Sequence, residues 1–245
     1  MLRIRETEPY YILPTQRYDL TTRPPSQSMQ GDYTLFVSWN AETLLNNEKP
    51  CSIVMRPGMH YGLCYSEKSN SINFEYWTKV DGENKFHFAT ISLFDDFPKY
   101  HLTNIWFCII RHDSESKSIQ LDVYSEGNEL KSFSSEYEGE LVNYSGTPYN
   151  FGCGNYFKQV DDTHYFFGDY TLHNIGLIEN IEHTNDEIKQ FIFSNKKSFD
   201  KLQDENQLTD LVFYFNMKNQ SIYKIWDLSG HCNFLMKNMD VFKWY

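Results

Sequence analysis

The chain has 245 residues and carries 22 Lys and Arg against 33 Asp and Glu, which gives a formal net charge of −11. This length suits one large all-β domain, and 17% aromatic with 22% charged residues excludes an intrinsically disordered chain. The acidic balance, without a cluster of Lys and Arg, excludes nucleic acid as the main partner because phosphate binding needs clustered cations.

The start of the chain, MLRIR, lacks the apolar run of a secretory signal, and no stretch approaches the roughly 18 apolar residues of a membrane span. We therefore expect a soluble protein, which is compatible with an extracellular, viral or cell-surface assembly. The five cysteines are widely spaced, odd in number and form no CxxC pair. This pattern predicts reduced thiols rather than a zinc site. A single disulfide is compatible with it, but the sequence does not identify its two cysteines.

Residues 1–30 are predicted to be irregular because Pro14, Pro24 and Pro25 interrupt them. The remainder, 31–245, is predicted to form one domain. It begins with strands at 32–39 and 51–56, which end at a Pro57-Gly58 turn. Further strands are predicted at 61–66, 71–78, 85–93, 105–111 and 118–125. Such short strands, repeated about every 8–12 residues with Gly, Asp and Asn between them, are typical of a sandwich or barrel.

Two of these strands separate apolar from polar side chains by alternation. One side carries Ile72, Phe74 and Tyr76, and in the later strand Ile119, Leu121 and Val123. The other side carries Asn73, Glu75 and Trp77, and in the later strand Gln120, Asp122 and Tyr124. The first side is predicted to face the core, and the second forms a polar face with embedded aromatic rings.

One helix is predicted, at 185–194. Thr184 and Glu187 form a capping box before it. Apolar residues then recur at helical spacing, at Ile188, Phe191 and Ile192. Strands are predicted again at 211–215 and 241–245.

Several motifs follow one another in a characteristic order from residue 105 onwards. They are IWFCII at 105–110, SIQLDVY at 118–124, GNEL at 127–130, PYNFGCG at 148–154, FGDY at 167–170, IGL at 175–177, NDEI at 185–188, LVFYF at 211–215 and WDLSGHCN at 226–233. This order resembles the laminin-G-like and pentraxin-like branch of the concanavalin A-like lectin/glucanase superfamily, across about 33–244. The resemblance implies an all-β, antiparallel jelly-roll β-sandwich with one short edge helix.

The resemblance also implies a range of functions, since members of the superfamily bind glycans, often with calcium, while others bind proteins or hydrolyse glycans. Calcium takes about 6–8 oxygen ligands, and in the family the loop before the Gly-Asp strand often supplies some of them. Here Asp161 and Asp162 lie in that loop and are the candidate calcium ligands. Adjacent aspartates in a loop are more often solvated turn residues than metal ligands.

Catalysis is not favoured by the motifs. The E-x-D-x-x-E arrangement of the glucanase branch does not occur, and there is no G-x-S-x-G elbow. Glu75 and Asp122 are the pair that an atypical glycoside hydrolase or polysaccharide lyase would use if they shared one face. The chain is therefore predicted to bind rather than to catalyse.

A sugar site combines an aromatic platform with a few fixed polar groups, because sugars present apolar C–H faces and hydroxyls. The predicted ligand-binding residues are Asn73, Glu75, Trp77, His87, Asp122, Tyr124 and Arg111. They predict a lectin-like module whose partner is a glycan or polysaccharide. Trp77 and Tyr124 are also explained if they cover a second layer or contact the N-terminal segment. Two alternative functions stay open: a structural or protein-interaction module of a larger assembly, which exposed strand edges would suit, and the atypical hydrolase or lyase.

Overall fold

The computed structural model describes residues 2–4, 12–16, 31–41, 51–56, 61–66, 70–96, 104–125, 129–142, 150–151, 155–159, 162–165, 170–193, 211–216, 224–226, 232–236 and 242–244. The strands in these ranges are β1 Leu2–Ile4, β2 Ile12–Gln16, β3 Tyr33–Ala41, β4 Cys51–Arg56, β5 Tyr61–Ser66, β6 Ser71–Val80, β7 Glu83–Ser92, β8 Trp106–Asp113, β9 Ser118–Tyr124, β10 Leu130–Glu136, β11 Glu140–Leu141, β12 Asn150–Phe151, β13 Asn155–Gln159, β14 Asp162–Tyr165, β15 Tyr170–Ile178, β16 Leu211–Asn216, β17 Lys224–Trp226, β18 Cys232–Met236 and β19 Phe242–Trp244. The helices in these ranges are α1 Leu93–Asp96 and α2 Asn185–Phe193.

Two large antiparallel sheets make up most of the described structure. The eight-stranded sheet has the order β10-β9-β8-β3-β15-β1-β19, and β16 also pairs with β15. The six-stranded sheet has the order β11-β6-β5-β4-β12, and β7 also pairs with β6. Smaller sheets join β13 to β14 and β17 to β18 and β2. The prediction of an all-β, antiparallel sandwich is confirmed.

The core lies between the two large sheets and is rich in aromatic rings. Trp39 of β3 stacks on Tyr65 of β5, with ring centroids 5.0 Å apart and an interplanar angle of 21°. The predicted inward side chains are buried in this core, namely Ile72, Phe74 and Tyr76 of β6 and Ile119, Leu121 and Val123 of β9. Alternation therefore gave the inner face of both strands correctly.

The first thirty residues are not uniformly irregular. β1 pairs with both β15 and β19, and β2 pairs with β18. Pro14 lies within β2, which is the terminal strand of its small sheet. An edge strand tolerates proline because the missing N–H is not needed for a second neighbour. The prediction of irregular structure is therefore wrong for these two strands. The extent of the domain, 31–245, stays a prediction.

A two-residue turn joins β6 to β7 and fixes their register. Asp81 and Gly82 have φ of 51° and 88°, and positive φ at both central residues is the type I′ hairpin turn favoured by Asp-Gly. Val80 therefore faces Glu83, and the rest of the hairpin follows from it. The resulting cross-strand pairs include Asn73↔Thr90, Glu75↔Phe88, Tyr76↔His87 and Trp77↔Phe86.

The strand β7 ends one residue earlier than predicted, because a short helix begins at Leu93. The Ser92 hydroxyl donates to Oδ2 of Asp95 over 3.2 Å and accepts from the Asp95 N–H over 3.4 Å. This Ser-x-x-Asp pair is a reciprocal cap, and it stops the strand from continuing.

The predicted helix is present as α2, and its predicted capping box is confirmed. The Thr184 N–H and hydroxyl donate to Oε2 of Glu187 over 2.7 and 2.8 Å, and the Glu187 N–H donates back to the Thr184 hydroxyl over 3.2 Å. In the described part of the chain, no helix is long and apolar enough to span a membrane.

The helix α2 lies over the outer face of the eight-stranded sheet and not beside its edge, as the family resemblance implied. Its buried residues Ile188, Phe191 and Ile192 share a second apolar cluster with Phe36, Phe107, Ile109, Tyr124, Ile178 and Tyr214. Because Phe36 and Ile109 belong to the central strands β3 and β8, the helix shields the middle of this face from solvent.

Two cysteines of the described residues, Cys64 and Cys108, are free thiols and both are buried. Complete burial raises the pKa of Cys108 to about 12. Both findings agree with the predicted reduced thiols.

Gly176 of β15 faces Phe36 across the strand pair. A Cβ atom at position 176 would lie 2.2 Å from Cζ of Phe36, far inside van der Waals contact. The Phe36 ring has no exposed surface, so it has little room to move. The glycine is therefore required for the ring to lie against the backbone of β15 beneath α2.

Gly176→Ala is expected to lower the free energy of unfolding by about 1–3 kcal/mol, the usual cost of adding a carbon to a well-packed interior. Urea unfolding followed by tryptophan fluorescence measures it. The same substitution should cost less in a Phe36→Leu background, since the clashing ring is gone. Ser134→Ala on the exposed strand β10 is the control and should stay within about 0.5 kcal/mol. Equal costs in both backgrounds would contradict the steric explanation.

Candidate functional site

The seven predicted ligand-binding residues do not form one site. The structure divides them among three places: Asn73, Glu75 and Trp77 on the outer face of the six-stranded sheet, His87 on the inner side of that sheet, and Arg111, Asp122 and Tyr124 on the outer face of the eight-stranded sheet. The expectation of one shared face is wrong, because β6 and β9 belong to different sheets whose polar sides point in opposite directions.

This division also separates the two candidate catalytic carboxylates. Glu75 and Asp122 project from opposite outer faces, with both sheets and the core between them. Two stacked sheets are about 10 Å apart, and side chains on their outer faces point away from each other. Glycoside hydrolysis needs two carboxyl groups within about 5–10 Å on either side of one bond. The proposal that these two residues act as a catalytic pair is therefore wrong.

Asp122 is the centre of a buried polar network. Its Oδ2 accepts hydrogen bonds from Nη1 of Arg111 over 3.1 Å and from Nδ2 of Asn185 over 2.9 Å. Its Oδ1 accepts from Nε2 of Gln120 over 2.9 Å and from the hydroxyl of Ser132 over 2.6 Å. Only 1% of the Asp122 side chain is exposed. Because its two oxygens already accept hydrogen bonds from four side chains, this carboxylate has a structural role and is not available to bind a ligand.

The other two residues of this group are occupied in the same way. Arg111 also donates from Nη2 to the carbonyl oxygen of His183 over 2.9 Å. The Tyr124 hydroxyl accepts from Nδ2 of Asn185 over 2.7 Å, and Nζ of Lys189 lies 4.3 Å from the centre of its ring. These contacts fasten the start of α2 to strands β8 and β9. The predicted residues Arg111, Asp122 and Tyr124 thus anchor the helix.

His87 belongs to the interior because it is paired with Tyr76, which faces the core. Its ring stacks on Tyr76 with centroids 5.1 Å apart and an angle of 13°. Its Nε2 shares a 2.8 Å hydrogen bond with the hydroxyl of Thr78, a fully buried residue. Burial, and then the charge of Lys85, lower the pKa of His87. The structure therefore does not place His87 beside Trp77.

A second histidine continues the same aromatic cluster. The Tyr76 ring meets Tyr137 edge-on, and Tyr137 in turn stacks on His112. Nδ1 of His112 lies 2.7 Å from the Gly31 carbonyl oxygen, so this nitrogen carries the proton, and Nε2 accepts from the Tyr137 hydroxyl. Burial lowers the pKa of His112 and raises that of Tyr137 to about 12. The two hydrogen bonds and the lowered pKa agree with a neutral His112 ring in the fold.

The outer face of the six-stranded sheet presents an exposed arrangement of aromatic and polar groups, and the most exposed aromatic ring of the described residues lies on it. Trp77 and Phe86 are cross-strand neighbours with centroids 5.1 Å apart, and Phe86 and Phe88 lie 6.1 Å apart along β7. Phe88 is 59% exposed, more than any other large hydrophobic side chain among the described residues. We refer to Trp77, Phe86 and Phe88 as the aromatic strip.

Polar side chains border the aromatic strip on the same face. Glu75 is directly opposite Phe88 and is 7% exposed. Asn73 precedes it on the same side of β6, and its Oδ1 accepts from the Thr90 hydroxyl over 2.8 Å and from the Ser71 hydroxyl over 3.4 Å. These bonds fix the amide, so its Nδ2 group has a defined direction. The face thus combines flat apolar rings with an oriented amide and a carboxylate.

Two residues of this site, Phe86 and Phe88, were missed by the sequence prediction, which took His87 from the same strand. The signal that identifies them is the Asp81-Gly82 turn. A two-residue hairpin places residues 77 and 86 opposite each other and residues 75 and 88 likewise. The side chains of Phe86 and Phe88 must then share the face of Trp77, while His87 must share that of Tyr76.

The candidate calcium ligands fall largely outside what the structure describes. Asp161 is not among the described residues, and Asp162 is described only as the first residue of β14. Among the residues that are described, no group of three His, Cys, Asp or Glu side chains is placed to hold a metal ion. Calcium binding at Asp161 and Asp162 stays a prediction.

No protein-family model and no curated protein matches this chain. A solved structure of the binding domain of botulinum neurotoxin DC in complex with SialylT is 10% identical with a TM-score of 0.48, over 80% of this chain and 45% of the toxin chain. The CBM40 domain of the Ruminococcus gnavus IT-sialidase is 13% identical with a TM-score of 0.45, over 80% of this chain and 99% of its own. At these identities and TM-scores, neither likeness carries functional information for this chain.

Asp122→Asn is expected to lower the free energy of unfolding by about 3–5 kcal/mol, because it leaves the Arg111 charge buried without its partner. The control is Asp186→Asn on α2, the helix that Asp122 anchors. The Asp186 carboxylate is 82% exposed and pairs with Lys189 over 3.0 Å. An exposed pair contributes little, so this change should cost less than about 1 kcal/mol. Chemical denaturation measures both variants, and equal losses would argue against an anchoring role for Asp122.

Stability is expected to fall as the pH drops below about 6.5. Burial holds the pKa values of His87 and His112 in the fold below the 6.5 of a free histidine. The unfolded chain therefore takes up protons first, and the stabilisation that is complete above pH 6.5 is lost on acidification. Urea midpoints between neutral pH and about pH 5 measure this slope. His87→Gln and His112→Gln should each flatten it, and an unchanged slope in the double variant would refute the assignment.

Proposed function

We propose that this chain is a carbohydrate-recognition module that binds its ligand on the outer face of the six-stranded sheet. The observation that carries the proposal is the aromatic strip, whose Phe88 ring is 59% exposed beside Glu75 and the fixed amide of Asn73. An exposed phenylalanine costs solubility and contributes nothing to the core. Its place beside two further rings and oriented polar groups is explained by a ligand with the same mixed character.

A pyranose ring has that mixed character. Its C–H face is apolar and packs on an aromatic ring, while the hydroxyls around its rim exchange hydrogen bonds with amides and carboxylates. Trp77, Phe86 and Phe88 supply the apolar surface, and Glu75 and Asn73 supply acceptor and donor groups at its border. Because cross-strand and same-strand contacts hold the rings, the surface is formed before the ligand arrives, which lowers the entropic cost of binding.

The finer family assignment is part of the same proposal. Membership in the laminin-G-like and pentraxin-like branch of the concanavalin A-like superfamily is supported by two packed antiparallel sheets and by the motif order from residue 105 to the capped helix. The range of functions in that superfamily is wide, so the assignment supports a sandwich that carries a site rather than any one ligand.

A second candidate function is assembly with a protein partner. It is favoured by β10, which ends the order of the eight-stranded sheet and exposes Leu130 by 43% and Phe133 by 38%. An edge strand with exposed apolar side chains offers unpaired backbone groups to another chain. The aromatic strip favours the carbohydrate ligand more strongly, because it joins three rings to polar groups on one face.

Phe88→Ala is expected to weaken binding of an oligosaccharide about tenfold, since removing one exposed stacking ring costs on the order of 1.4 kcal/mol. Isothermal titration calorimetry against soluble gluco-, xylo-, manno- and chito-oligosaccharides identifies the ligand and measures the loss. The exposure of Phe88 makes the fold insensitive to the change. Phe133→Ala, which removes an exposed ring from the other sheet, should leave the affinity within twofold. A folded protein that binds no oligosaccharide, neither in this panel nor among acidic sugars such as sialyllactose, would refute the proposal.

A further inference from the structure

We infer that the aromatic strip selects an uncharged pyranose oligosaccharide and rejects acidic sugars, an inference that rests on the proposed function. The charged side chains of the same face carry it. An acidic sugar bears a carboxylate or sulfate, and sites for such groups use Arg or Lys in charge-assisted hydrogen bonds. A site for acidic sugars on the outer face of the six-stranded sheet would therefore need Arg or Lys side chains on that face.

The described residues of this face carry more negative than positive charge. Glu75 lies directly opposite Phe88, inside the candidate site, and Glu140 of β11 is directly opposite Lys79. In the described strands β4 to β7 and β11, no arginine occupies a register position of this face, and Lys79 is the one lysine that does. The cation nearest along β6 to Trp77 therefore faces a carboxylate across the strands.

Glu75 bears most directly on the choice of ligand. It is nearly buried, and it is the cross-strand neighbour of the most exposed ring of the strip. A carboxylate accepts hydrogen bonds from sugar hydroxyls, whereas a second carboxylate brought to the same place meets like-charge repulsion that low exposure strengthens. The net charge of −11 adds a long-range repulsion of anions. Both effects act in the same direction.

The strip also indicates the length of the ligand. Neighbouring ring centroids are separated by 5.1 and 6.1 Å, which is comparable with the length of one pyranose unit in a chain. Two or three consecutive sugars can then each contact one ring. We expect a single sugar to bind much more weakly than a trisaccharide of the same linkage, because it contacts one ring only.

The test compares neutral and acidic ligands on the folded protein by titration calorimetry. The neutral set is cello-, xylo-, malto-, laminari- and chito-oligosaccharides, and the acidic set is sialyllactose and oligogalacturonate, each at low and high salt. The expected result is binding of a neutral chain whose Kd changes less than twofold with salt and rises about tenfold in Phe88→Ala. Lys79→Gln should leave this Kd within twofold. Glu75→Gln should raise it, because it replaces the best acceptor for the sugar hydroxyls.

The remaining outcomes separate the two proposals. Tighter binding of an acidic sugar that is lost in Phe88→Ala and weakened by Lys79→Gln or by salt would overturn the neutral ligand and leave the carbohydrate site in place. Binding of a neutral oligosaccharide that is unaffected by Phe88→Ala would show that the aromatic strip is not the binding site, and would overturn the inference drawn from it. A folded protein that binds neither the neutral nor the acidic set would overturn the proposed function itself. Unchanged circular dichroism and melting temperature confirm that each variant is folded.

Discussion

Packing of aromatic rings between the two sheets is the interaction on which the rest of this structure depends. Trp39 of one sheet stacks on Tyr65 of the other, and around them the inner faces of β3, β5, β6, β8 and β9 contribute fully buried side chains. Stacked sheets interdigitate in this way only if every second residue of each strand points inward. The inward residues thus determine the fold, and the residues between them are left to face solvent, a covering helix or a ligand.

Much of the fold was predictable because its signals are local. Alternation in β6 and β9, the capping box before α2 and the Asp81-Gly82 turn each act over a few positions of sequence, and each appears in the structure. The strands at the start of the chain were not predictable. β1 has only three residues, and its partners β15 and β19 lie near the far end of the chain. Pro14 argued against β2, since no local feature shows that a strand is an edge.

The candidate site was predicted only in part, because alternation shows which side chains of one strand share a side but not how that side relates to the sides of other strands. Alternation shows that Asn73, Glu75 and Trp77 share one side of β6, and this holds. It cannot show whether Asp122, in another sheet, faces the same way, and it does not. Nor does alternation alone show which alternate residues of β7 share the outer face with Trp77. The Asp81-Gly82 turn does so, because a type I′ hairpin leaves one register, in which Phe86 and Phe88 join Trp77 and His87 joins the interior.

The thiol of Cys108 gives the sandwich a built-in reporter of its own opening. It lies among the core side chains between the sheets, fully buried, with its pKa raised to about 12. A thiol reacts with an alkylating reagent as the thiolate, so modification of this residue must wait until β8 separates from the opposing sheet. The rate at which the peptide containing Cys108 becomes labelled therefore measures how often the core is breached under native conditions. No probe has to be introduced for this purpose, because β8 already carries one at its centre.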